Sequence, residues 1–270
     1  PALFQQRKDE YLNVVEDVLS RGAYIMQKDL INFENNLAKY LGIKHAIGVA
    51  DGTMALLTSL MAVGIEDGDE VIVPSHTFIA SAAAIHHAGA KIILADCQED
   101  HLIDPVSISK LITPRTKVIM PVQLNGRIAD MDAITQIATE NNLIIIEDSC
   151  QALGSKYKNK FAGTFGLTGT FSFFPAKTLG CFGDGGAVVT NNDEVANKIR
   201  MIRDHGRDPI DGKVKIFGFN SRLDNLQAAV LGLKLKYYDE DIDRRRQIAM
   251  IYHTHLDHIN QIVQNAPLYL

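Results

Sequence analysis

The 270-residue chain has no tryptophan, only three cysteines and eight prolines, no excess of positive charge and no apolar run long enough to cross a bilayer. Cys97, Cys150 and Cys181 are an odd number without CxxC spacing, so they indicate neither a disulfide framework nor a cysteine metal site. They read as small residues in packed space, although Cys150 and Cys181 fall near the candidate site described below. With no apolar N-terminal leader, the expected setting is reducing and cytoplasmic, with no membrane partner and no bound metal. The 27 basic and 32 acidic residues give a net charge of -5. The charge is spread along the chain without a sustained basic face, which argues against nucleic acid as a partner, and without a block of like charge that would mark a disordered tail. What is present is a 46% hydrophobic composition, enough for one large core and the beginning of a second unit.

Short Val-, Ile- and Leu-rich runs alternate with longer amphipathic stretches, the pattern of βαβ units around a mostly parallel sheet. Strands are expected over 45–50, 70–73, 91–95, 117–122, 143–147, 171–174 and 186–190. Helices are expected over 53–63, 78–87, 131–140 and about 194–204, followed by one long helix over about 223–258. The charged middle of that last stretch, DEDIDRRR, reads as a solvated face.

Three segments carry candidate chemistry. In VADGTMAL a strand turns at Asp51-Gly52-Thr53 directly into a helix, where bare backbone and first-turn amides can meet an anion; a plain cap and turn is the competing reading. Asp51 would repel a phosphate there unless its side chain turns away to cap the helix. In IIIEDSCQALG a buried strand delivers Asp148 at its carboxyl end, suited to keeping a pyridine nitrogen protonated and equally suited to capping a helix with Ser149. Gln151, three residues on, can donate to a ring oxygen. In SFFPAKTLGCFGDGGA, Lys177 stands between a Phe-Phe-Pro corner and a glycine-dense turn. An apolar wall of Phe173, Phe174 and Pro175 would lower the amine's pKa and favour imine formation, against the ordinary reading of a solvated surface lysine. The glycine spacing is not GxGxxG, so this is no dinucleotide fingerprint, and Ser172 beside the wall is a candidate phosphate ligand. A lysine nucleophile with a carboxylate for a pyridinium nitrogen points to pyridoxal phosphate chemistry.

Together with GAYIM, GDEVIVPSHTFIAS, TPRTKVIMPVQLNG, ADMDAI and GFNSRLDNLQAA, these segments resemble the DegT/DnrJ/EryC1/StrS sugar aminotransferases over nearly the whole chain. The resemblance implies an α/β fold, three-layer α/β/α with a mostly parallel central sheet, of the pyridoxal-phosphate-dependent transferase fold type I. It implies a large cofactor-binding domain over 1–235 and the start of a small C-terminal domain over 236–270, whose remainder is expected to be missing. Residue by residue, it makes Lys177 the Schiff-base lysine, Asp148 the partner of the ring nitrogen and Gln151 the neighbour of the ring hydroxyl. Gly52, Thr53 and Met54 become the phosphate turn with Ser172, and Phe78 the ring-stacking aromatic, with His76 as second candidate and a core phenylalanine as the alternative. Asn220 would reach the phosphate of a neighbouring subunit, which implies a homodimer, and Arg222 would hold a substrate carboxylate. From the residues alone, Asn220 and Arg222 read as a helix cap and a surface charge. Asp51 departs from the Ser or Asn common in the family, and the chain is shorter than its members usually are.

The implied activity is transfer of the amino group of L-glutamate to a keto group of a nucleotide-linked sugar, with pyridoxal 5'-phosphate as cofactor. The third sugar carbon is favoured, as for 3-amino UDP-sugars of surface polysaccharides such as lipopolysaccharide, and the fourth is the alternative. A catalytically dead cofactor-binding or regulatory protein is the alternative of another class. A dehydratase is disfavoured because in that branch a histidine replaces the lysine that stands here as Lys177.

Overall fold

The structure is a computed structural model that describes residues 2–256. Three helices open the chain: α1 (Ala2–Gln6), α2 (Lys8–Ser20) and α3 (Lys28–Leu41). None was among the expected elements, although α3 buries Leu30, Phe33, Leu37 and Leu41 at helical spacing and stops at Gly42 in the left-handed region. There follow β1 (His45–Val49), α4 (Gly52–Ala62), β2 (Glu70–Pro74), α5 (Ile79–His87), β3 (Lys91–Ala95), α6 (Pro105–Leu111) and β4 (Thr116–Ile119). Helix α6 was also not expected, yet it carries a full start signal, an Asp104 carboxylate accepting from the Val106 amide and Pro105 in the first turn. A single 3-10 turn (Leu124–Gly126) leads to α7 (Met131–Glu140), β5 (Ile144–Asp148), and a small hairpin of β6 (Lys156–Tyr157) and β7 (Lys160–Phe161). The chain continues through β8 (Thr168–Ser172), β9 (Gly186–Thr190), α8 (Asp193–Arg203), α9 (Asn225–Leu235) and α10 (Tyr238–Leu256).

Seven strands form one sheet in the order β1-β9-β8-β5-β4-β2-β3, with β9 alone antiparallel to its neighbours. The expected mostly parallel α/β architecture is therefore what the chain adopts. Alternation along the strands puts helices on both faces. Ile47, Val49 and Val188 pack with α4 and α8, while Ala46, Ala187 and Val189 pack with α3 and α9 on the other side. Among the described residues no helix is long and apolar enough to cross a membrane.

Two expectations are corrected. The strand expected over 171–174 lies three residues earlier at the start, because Thr168, Gly169 and Thr170 pair with β5 and the last two of them also with β9, and no side chain larger than hydrogen fits at Gly169 against the backbone of Gly163. The single helix expected from about residue 223 is two helices, broken around Lys236 and Tyr237, and its expected end at 257–258 lies outside the described residues. The break turns Tyr238 inward. Its ring is 1% exposed, and its hydroxyl donates to the Leu153 carbonyl at 2.9 Å and accepts from the Thr178 hydroxyl at 2.8 Å.

Burial pushes the Tyr238 phenol up to about 12 from its ordinary 10. The folded state thus favours the protonated phenol, and that contribution is full below pH 10 and lost as pH rises through about 12. Tyr238→Phe is expected to cost about 1–3 kcal/mol near neutral pH by leaving two buried partners unpaired. Chemical denaturation from pH 8 to 12 should also show a shallower alkaline loss of stability in the variant; an unchanged slope would count against this assignment.

Candidate active site

Each candidate side chain leaves the sheet at the same edge. Asp148 ends β5, Ser172 ends β8, Gly52 follows β1, Phe78 follows β2 and Asn125 follows β4, so all stand at the carboxyl ends of mutually parallel strands, where open α/β sheets place ligands. Lys177 follows β8 in a turn whose amide donates to the Phe174 carbonyl at 2.8 Å.

The turn after β1 is packed against the end of β8. A Cβ on Gly52 would lie 2.8 Å from Ser172 Cβ and 3.0 Å from Cys150 Sγ, which brings the glycine, the serine hydroxyl and Cys150 to one spot. Asp51 is extended and its carboxylate accepts from the Met54 amide at 2.8 Å, so this acid is turned into the helix as its cap. The Met54 amide is thereby occupied, contrary to its expected part in an anion site. The Gly52 and Thr53 amides, which like all first-turn amides have no acceptor within the helix, point out of its start.

Asp148 is 6% exposed. Its Oδ2 accepts from the Ser81 hydroxyl at 2.7 Å and its Oδ1 from the Cys150 amide at 3.2 Å, so it does not cap a helix with Ser149. Burial pushes the Cys150 thiol well above its usual range; the Asp148 charge pushes the same way and the Lys177 charge opposes it. The acid ends β5 and the amine follows the carboxyl end of its parallel neighbour β8, and so they stand on the same edge of the sheet. Cys150 packs between Gly52 and Thr170. The enclosing wall expected around Lys177 is only partly formed. Phe173 is buried edge-on against Phe33, but Phe174 and Pro175 lie exposed and the lysine itself is half-buried.

Next to Asp148, Glu147 is wholly buried and accepts from Gln123 Nε2 at 3.0 Å and from the amides of Gly163, Phe165 and Gly166 at 2.9, 2.6 and 2.9 Å. Gln151 accepts the Asn125 amide on Oε1 at 2.9 Å; an N–H can only donate, so the side-chain NH2 of Gln151 is the end left to donate. Phe78 is 68% exposed and not a core residue, and His76 is exposed with its ring edge-on to His101 at 5.4 Å. Arg222 pairs with Val49 at the end of β1 and donates to Asp204 Oδ1 at 3.0 Å and to Asn220 Oδ1 at 2.7 Å. Asn220 is exposed and bridges to Asp204; the cap of α9 is Asp224, so the helix-cap reading of Asn220 does not hold. Ser81 and Thr77 were not singled out from the sequence, where hydroxyls beside an alanine-rich helix carry no signal of their own.

Residues 5–267 match the DegT/DnrJ/EryC1/StrS aminotransferase family. The chain belongs to this family. Among its relatives, a dTDP-3-amino-3,4,6-trideoxy-alpha-D-glucose transaminase of Streptomyces venezuelae is 43% identical over 93% of this chain and 66% of its own length. A "pleiotropic regulatory protein" of Geobacillus stearothermophilus is 41% identical over 92% of this chain and 67% of its own. The solved DesV of S. venezuelae, in complex with a ketimine intermediate, superposes with a TM-score of 0.91 at 42% identity, covering 94% of this chain and 69% of that one. NtdA of Bacillus subtilis, solved with bound cofactor PMP, gives 0.89 at 37% identity over 95% and 59%. The chain thus spans about two thirds of the length of the relatives it matches.

The donor set on this sheet edge fits pyridoxal phosphate, the cofactor type of the family. There is an amine for its aldehyde, an acid for its ring nitrogen, an amide NH2 for its ring oxygen, and two helix-start amides with a hydroxyl for its phosphate.

Removing the Asp51 cap by Asp51→Ala is expected to cost about 1 kcal/mol, whereas Asp51→Asn keeps an accepting oxygen and should stay within a few tenths of the parent. Urea unfolding of the three proteins measures this. Equal loss in both variants would mean that the charge, and not the cap, is what matters.

Proposed function

We propose that this protein is a pyridoxal-phosphate-dependent aminotransferase that moves the amino group of L-glutamate to a keto group, at the third carbon, of a nucleotide-linked sugar. The observation that carries the reading is that Asp148 ends β5 while Lys177 follows β8, its parallel neighbour, so that acid and amine share one edge of the sheet. When bound, the cofactor supplies an aldehyde that accepts the amino group and a ring that withdraws electrons from the carbon losing its proton. Lys177 Nζ would hold the cofactor through its aldehyde, and as a free amine it would move the substrate proton as a general base and acid. Asp148 would hold the ring nitrogen charged, and Gln151 would donate its NH2 to the ring oxygen. Gly52, Thr53 and Ser172 would hold the phosphate, and Phe78 would cover a face of the ring. The Met54 amide takes no part, since Asp51 already occupies it.

Arg222 is suited to a substrate carboxylate because its planar guanidinium presents paired donors. It is shared now between Asp204 and Asn220, and its Nε is buried without a partner among the described residues. The homodimer reading, with Asn220 directed to a neighbouring subunit's phosphate, is supported by the exposed segment before it, where Ile210 is 92% and Phe217 98% exposed. The preference for the third carbon rests on motif likeness and on the 3-amino sugar named for the Streptomyces relative. A role in surface-polysaccharide or amino-sugar synthesis in the cytoplasm follows from that substrate class and from three unpaired cysteines.

The name of the Geobacillus relative favours a second reading, a cofactor-binding regulator without turnover. The two part on one experiment. Glutamate added to the cofactor-loaded protein should shift the absorbance band of the bound cofactor and release 2-oxoglutarate, and a panel of 3-keto and 4-keto nucleotide sugars should then restore the band with the 3-keto compounds. Lys177→Ala is expected to lower turnover by about a thousandfold. A band unmoved by glutamate would establish the regulatory reading, and restoration by 4-keto sugars alone would move the reaction to the fourth carbon.

A further inference from the structure

Asp148 is held by a chain of hydroxyls from the segment that also carries Phe78. Ser81 has no exposed surface, and its Oγ donates to Asp148 Oδ2 at 2.7 Å. Thr77 Oγ1 lies 2.8 Å from that same Oγ. A hydroxyl has a single proton to give, and the serine has given it to the carboxylate, so in the remaining contact the threonine donates and the serine accepts. The order is fixed as Thr77 to Ser81 to Asp148, with each hydroxyl polarising the next. The other oxygen of the acid takes the Cys150 amide, so both oxygens are pinned and the carboxylate plane cannot rotate without breaking a buried bond.

We propose that Thr77 and Ser81 are positioning residues that fix the orientation of the Asp148 carboxylate toward the cofactor's ring nitrogen; this rests on the reading of Asp148 given above. Phe78 lies between them in sequence and begins the turn into α5, so one six-residue segment, 76–81, both presents the aromatic face and aims the acid. The consequence is that ring contact and ring-nitrogen contact are set by a single piece of backbone. Neither hydroxyl touches the reacting atoms, and their effect passes through Asp148.

The test is rebinding of pyridoxal phosphate to the cofactor-stripped protein, followed by absorbance, for Ser81→Ala, Ser81→Thr, Thr77→Val, Asp148→Asn and the Ser81→Ala/Asp148→Asn double variant. Ser81→Ala should weaken cofactor affinity about tenfold, the size of one hydrogen bond to a charged group. Thr77→Val should weaken it about threefold through loss of polarisation. Ser81→Thr should recover most of the serine's effect, and Ser81→Ala should add nothing in the Asp148→Asn background. In steady state the single variants should lose kcat with little change in KM for glutamate, which a general loosening of the fold would not produce. Parent-like affinity in both Ser81→Ala and Thr77→Val, or an equal loss from Ser81→Ala with and without Asp148, overturns the proposal. If Asp148→Asn itself binds and turns over like the parent, the role given to Asp148 fails and the relay fails with it. An impaired Asp148→Asn beside a silent Ser81→Ala removes the relay alone.

Discussion

Glu147 is the constraint from which the site is built. A carboxylate with no exposed surface loses its hydration, and burial pushes its pKa up while four N–H donors pull it down. All four partners are donors, so the arrangement is satisfied only by an accepting oxygen pair, and it draws three separate pieces of chain to one point. The amides of Gly163, Phe165 and Gly166 fix the loop that feeds β8, and Gln123 fixes the exit from β4, its own Oε1 accepting from the Ala129 amide. The next residue after Glu147 is Asp148, which faces the opposite way and meets Ser81. One buried acid thus orders the frame, and its neighbour in sequence is offered to chemistry.

Around that frame the candidate residues are tied in pairs. Gln151 is oriented by Asn125 across the ends of β5 and β4, Asp148 by Ser81 across β5 and α5, and Arg222 by Asp204 beside the end of β1. The bare turn at Gly52 is packed on Ser172 across β1 and β8. A parallel sheet brings these strand ends together because every crossover returns the chain to the same edge, and the single antiparallel strand, β9, sits between β1 and β8 without reversing either.

Much of this was legible in the sequence where the apolar pattern is local. Helix α7 and strands β3 and β9 stand at the expected residues, and β5 is displaced by one. What escaped was set by distant partners. The helical period of 223–258 runs unbroken through Lys236 and Tyr237, and nothing local shows that Tyr238 must turn inward to meet Leu153 and Thr178. The aromatic run at 171–174 is strand only through Ser172, and the pairing with β5 is made by the small residues before it. Helix α3 carries a spacing and a stop signal and α6 a start signal in local sequence, outside the alternating apolar runs on which the expected elements rest. At the site, Lys177 and Asp148 could be picked out from residue chemistry, whereas Asn220 and Arg222 acquired meaning only through the family, and Ser81 only through contact with a strand 67 residues away.

The phenol of Tyr238 joins two loops that have no covalent reason to move together. Leu153 closes the turn that follows Asp148 and Gln151, and Thr178 is the neighbour of Lys177. Because Tyr238 is the first residue of α10, one oxygen at the start of that helix is bonded to both turns. The start of α10 and the turns that carry the amine and the acid therefore share one polar joint, and the position of that helix is written into the spacing of the two.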